Sequence, residues 1–110
     1  MSPRKIEGIH TLDVNGNPGG GVTDGVGIHI EWQDGPLGRG NDRAEPNGAF
    51  VEGVIAAALD RLHFYQTASD GRFKCRENAL AITKLEEALH WCDHRTQARE
   101  QREVEGTHRP

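Results

Sequence analysis

Three arginines, Arg95, Arg99 and Arg102, recur at intervals of four and three, so on a helix they fall on one face. A guanidinium is a planar fork of donors that meets a phosphate with two parallel hydrogen bonds, and cations are favoured near a helix C-terminus. The opposing reading is a solvated helix end whose arginines pair with Glu100 and Glu103. Asn78 lies on the same stripe at the other end of that helix, beside Arg76 and Glu77. There its amide either reads a base edge or caps the helix. Trp32, Phe73 and Trp91 are wide enough to stack on a base, a contact worth about 1–3 kcal/mol, or to pack in a small core.

Other chemistries find little support. His90 and His94 have a spacing that binds zinc, but no Glu follows the first His as a metalloprotease helix requires. Asp13-Val14-Asn15-Gly16-Asn17 opens like a calcium loop, yet Pro18 stands where that loop needs Gly, which favours a plain turn. Gly19-Gly20-Gly21 lacks the Gly-Lys-Ser/Thr ending of a phosphate loop. No Ser or Cys stands beside a His and an acid in a local nucleophilic arrangement. The expectation is a protein without catalytic residues, bound metal or cofactor.

The elements that must position these residues divide the chain in two. Eleven of the fourteen Gly precede Phe50, so composition shifts near Asn47. Val26, Ile28, Ile30 and Trp32 alternate with Gly27, His29, Glu31 and Gln33, the period of a half-buried strand. Ile6 to Val14 is a weaker candidate strand. The turn-rich stretch from Asn15 to Gly21 between them predicts a β-hairpin with a floppy tip. From Asn47, a plausible N-cap, the apolar period becomes helical through Tyr65; Ser69-Asp70-Gly71 breaks it, and a second helix begins near Cys75. The predicted fold is α+β: a Gly-rich β-hairpin and loop region over 1–46, then an antiparallel helical hairpin with a C-terminal tail over 47–110.

A chain of 110 residues built this way buries too little apolar surface to stand alone, so the hairpins should pair between chains, from dimer to hexamer. The net charge of −4 argues against a general nucleic-acid binder. No stretch is long and apolar enough to span a membrane and no secretion signal is evident, so a cytoplasmic location is expected, with Cys75 and Cys92 as buried thiols.

The runs Asn47-Gly48-Ala49-Phe50-Val51-Glu52, Phe73-Lys74-Cys75-Arg76-Glu77-Asn78 through Ala88-Leu89, and Arg95-Thr96-Gln97-Ala98-Arg99 through Thr107-His108 resemble the helical hairpin of the phage Thoeris anti-defence sponge family, a hairpin shared with anti-CBASS sponges. Trp32-Gln33-Asp34-Gly35-Pro36-Leu37-Gly38 resembles the loop before it. The resemblance implies an anti-defence protein in the host bacterial cytoplasm that captures small cyclic nucleotide signals, namely cyclic ADP-ribose isomers and also cyclic di- and trinucleotides, without cleaving them. It implies ligand contacts at Asn78 and Arg95, with Arg99 or Arg102 and Thr107 on phosphate. Trp32, Phe73, Arg76 and Arg39 complete the candidate set. The runner-up is an oligomeric interaction protein binding a host defence protein or nucleic acid; a small phosphodiesterase comes third.

Overall fold

The structure is a computed structural model that describes residues 4–102 and Thr107. Two compact units emerge: one runs to Phe50 and includes the described residues from Arg99 onward, and the other is Val51–Ala98. The boundary thus lies four residues beyond the expected break after 46, because residues 47–49 are tied to the sheet.

The N-terminal unit is a three-stranded antiparallel sheet in the order β1-β2-β3, with β1 Ile6–Leu12, β2 Pro18–Gly25 and β3 Ile28–Trp32. The two-stranded hairpin expected from the sequence is corrected here. Gly19, Gly20 and Gly21 are not a tip but part of β2, paired with β1 through Gly21↔His10 and with β3 through Gly21↔Trp32. At Gly21 a Cβ would come within 2.5 Å of the Ile9 carbonyl oxygen, so close strand approach, not turn formation, selects glycine there. The turn is shorter than expected. Asp13 Oδ1 accepts from the backbone N–H groups of Asn15 at 2.8 Å and Asn17 at 3.0 Å, so the stretch resembling a calcium loop is an Asx turn. Val26 leaves its predicted strand and forms, with Gly27, the two-residue connection between β2 and β3.

A return segment closes one side of this sheet. Ala49 bridges Trp32 in parallel, with Gln33 N–H donating to Ala49 O at 3.0 Å and Ala49 N–H donating to Glu31 O at 2.8 Å. Gly48 is required: a Cβ there would lie 2.5 Å from the Trp32 carbonyl carbon. Asn47 is not a helix cap. Its carboxamide accepts from Asp34 N–H at 2.8 Å and donates to Asp34 O at 2.9 Å, while Gln33 Oε1 accepts from Asn47 N–H at 2.8 Å. These contacts tie the two ends of the 34–46 loop together. On the sheet surface, the hydrogen bond that the His29 ring donates to the Asp24 carboxylate, and the charge of that carboxylate, raise the pKa of His29 above its ordinary value.

The second unit is the helical hairpin. Helix α1, Val51–Gly71, keeps helical geometry as far as Thr67 and then breaks at Ala68, Ser69 and Asp70; Ser69 and Asp70 take left-handed φ of 52° and 59°. Helix α2 spans Arg76–Gln101. Gln66 clamps the turn, its Nε2 donating to Cys75 O at 3.1 Å and its Oε1 accepting from Cys75 N–H at 3.0 Å. At the other end Arg95 meets Glu52, so the helices run antiparallel. Leu59 and Ile82 are the buried apolar residues among those described. Phe64, Phe73 and Trp91 are 52%, 57% and 66% exposed, which is what a hairpin with an uncovered apolar surface looks like. The cysteines are free, but the expectation of burial fails: Cys75 precedes α2 and is exposed, and Cys92 is half-buried. No helix of the described residues is long and apolar enough to cross a membrane.

Candidate functional site

The turn end of the hairpin holds an open cavity of about 590 Å³ lined by Phe64, Tyr65, Ala68, Ser69, Phe73 and Asn78. Helical spacing brings Phe64 and Tyr65 to it from the last turns of α1, and the left-handed pair Ser69-Asp70 swings the chain so that Phe73 and the first turn of α2 close the other side. Their rings lie 6.1 Å apart and tilted by 54°. Asn78 is the third residue of α2 and is half-buried; its carboxamide makes no hydrogen bond among the described residues, so it does not cap the helix and is available to a ligand. Arg76 begins α2 beside it and is exposed.

Such a cavity suits a flat, partly polar guest. Aromatic faces supply stacking area, and one unpaired amide supplies a two-point hydrogen-bonding edge. The backbone N–H groups of the first turn of α2 add a positive potential, the earliest α2 bond back along the chain being Ala79 N–H to Cys75 O at 3.2 Å.

The remaining sequence-derived candidates do not line this cavity. Arg95 stands seventeen positions after Asn78 on α2, roughly 25 Å along the helix at its standard rise. Its Nη2 donates to Glu52 Oε1 at 2.8 Å. Among the described residues the partner of Arg95 is therefore Glu52, an acid on the opposite helix, and not Glu100; Glu103 lies outside the described residues. In the N-terminal unit, Arg99 Nη2 donates to the backbone oxygen of Thr107 at 2.7 Å, which brings those two candidates together. Arg102 follows the end of α2 and is exposed. Trp32 is held in the sheet, its Nε1 donating to Thr23 Oγ1 at 2.7 Å. Arg39 precedes a 3-10 turn, Gly40–Asp42, in the loop after β3. Trp91 is flanked edge-on by His90 and His94, so this pair packs on an aromatic ring.

Sequence reading missed Arg61, Phe64 and Tyr65 as a set. Arg61 lies over both rings, 4.9 Å from each centroid, and its Nε donates to Tyr65 Oη at 3.2 Å. The signal was an Arg followed at three and four by aromatics, a helical neighbour spacing.

An unpaired amide beside exposed aromatic rings thus sits at the turn of an antiparallel helical hairpin that follows a small sheet in the chain. The chain belongs to the Acb2/Tad1 hairpin-domain family, whose model matches residues 24–97. Among curated proteins it is similar to Thoeris anti-defense 1 of Bacillus phage SBSphiJ7, with 56% identity over 62 residues. That match spans 56% of this chain and 42% of the relative's length.

Proposed function

We propose that this chain is a phage anti-defence sponge, which binds cyclic nucleotide immune signals and holds them uncleaved. Cyclic ADP-ribose isomers are the first ligand class and cyclic di- and trinucleotides the second. The observation that carries the reading is the aromatic cavity at the hairpin turn, with the unpaired amide of Asn78 in its wall. The family and the Thoeris anti-defense relative support it. A sponge needs affinity and no turnover, so stacking and phosphate contacts suffice and no general base is called for.

Asn78 and Arg95 are too far apart along one helix for a single nucleotide to touch both. When two hairpins pair with their α2 helices antiparallel, the Arg95 end of one chain lies beside the Asn78 end of the other. Assembly then completes the site, and the exposed Leu80 and Trp91 of α2 supply apolar surface to drive it. Arg99, Arg102 and Thr107 are further phosphate contacts in this reading, and Glu52 pairs with Arg95 until ligand arrives.

The test is to incubate the protein with extract from cells whose signalling defence is active, wash it, release bound material by heat and separate it chromatographically. Recovery of intact cyclic nucleotide is expected. Recovery of linear products would make the protein a phosphodiesterase, and co-purification of a host protein without nucleotide would make it an interaction protein.

A further inference from the structure

We propose that Arg61 and Arg72 are the anion-gripping arms of the aromatic cavity, selecting a nucleotide whose base stacks on the rings while its phosphates meet the two guanidiniums. The inference rests on the sponge reading and names residues that neither the resemblance nor the sequence pattern pointed to. The Arg61 guanidinium carbon lies 4.9 Å from the ring centroids of both Phe64 and Tyr65, and its Nε is spent on Tyr65 Oη. Its Nη groups meet no acceptor among the described residues. Arg72 lies 5.3 Å over the Phe73 ring, and its side-chain donors likewise meet no acceptor among the described residues.

Contrast the arginines of the α2 stripe: Arg95 is committed to Glu52 and Arg99 to the Thr107 carbonyl oxygen. The guanidiniums set against Phe64 and Phe73, two rings of the cavity wall, keep their forks open. Contact with the rings already restricts these side chains, so less freedom is lost when they close on a phosphate. No carboxylate of the described residues forms an ion pair with either. Burying this face against the same face of another copy would bring uncompensated cations together, which is costly, whereas a dianionic ligand neutralises them. Asn78, in the first turn of α2, lines the same cavity.

The test is calorimetric titration of the full chain with a ribose-linked cyclic ADP-ribose isomer, at low and at moderate salt. Arg61→Ala should weaken binding roughly 10- to 100-fold and flatten its salt dependence; Arg61→Lys, which keeps charge but loses the fork, should fall between. Arg72→Ala should weaken binding by a smaller factor. Thermal midpoint and assembly mass should stay at the wild-type values in all three. If wild type binds and the Ala variants bind within about twofold of it, the arms are wrong and the sponge reading stands. A changed assembly mass for Arg61→Ala would overturn the proposal in favour of a contact between copies. If wild type takes up no cyclic nucleotide of any class, the sponge reading falls and the arms with it.

Discussion

Replacing Arg95 by alanine separates what this side chain does for the hairpin from what it does for a ligand. In the free chain it forms an ion pair with Glu52 at 2.8 Å, with the two side chains 63% and 27% exposed. Pairs this accessible are worth about 0.2–1 kcal/mol, and the Glu52 carboxylate left behind keeps contact with water, so no large penalty for a stranded charge follows. For a unit of this size, 1 kcal/mol moves the thermal midpoint by about 4–8 °C, which sets the upper limit of the expected drop. A charge-assisted contact to phosphate is worth about 1.5–3 kcal/mol, or a loss of roughly 10- to 150-fold in affinity. The assay pairs calorimetric titration against a cyclic ADP-ribose isomer with melting curves, on Arg95→Ala and Glu52→Gln. The glutamine variant should share the small loss of stability yet bind at least as tightly as wild type, since it releases the guanidinium. A midpoint drop well beyond 8 °C with affinity unchanged would show that Arg95 is a structural strut, and the phosphate role would be refuted.

Light scattering at micromolar concentration should give an assembly mass that is a multiple of 12.1 kDa; a stable monomer would remove the shared site. Gln66→Ala removes both hydrogen bonds to Cys75 and should lower stability in urea by about 1–3 kcal/mol, while no measurable change would mean that the turn holds without its clamp. His29 should titrate above its ordinary 6.5 because Asp24 bonds and attracts the protonated ring. A raised folded pKa contributes stability that is full below the unfolded value and fades as pH rises through the folded one. Asp24→Asn should therefore cost more at about pH 5.5 than at about pH 8, and equal costs at both would contradict the assignment.

The helices and β3 were legible because their side chains carry a period. β2 was not, since a strand of Pro, four Gly and few apolar residues shows no alternation, and its conformation is decided by neighbours on both sides. The same logic explains Asn47. Its residue type and place announce a helix cap, but the partner it finds, Asp34, is thirteen residues away and invisible to local reading. At the site, Phe73 and Asn78 were legible as types at plausible positions. Tyr65 looked like one more residue in an apolar stripe, because a helical period does not say whether a face is covered. The Glu52–Arg95 pair spans 43 residues, and only the folded hairpin brings its ends together.

The sheet is finished on one side and bare on the other. Ala49 occupies the C-terminal stretch of the β3 edge, whereas all seven residues of β1 are exposed and no strand of the described residues pairs with its outer edge. An edge of this kind is a template, and it offers its hydrogen bonds once. Two sheets joined along β1 would have spent both their long edges, with only the short remainder of β3 at each outer margin. Pairing along β1 would therefore use up the longer free edge and leave only part of β3 open to a further strand.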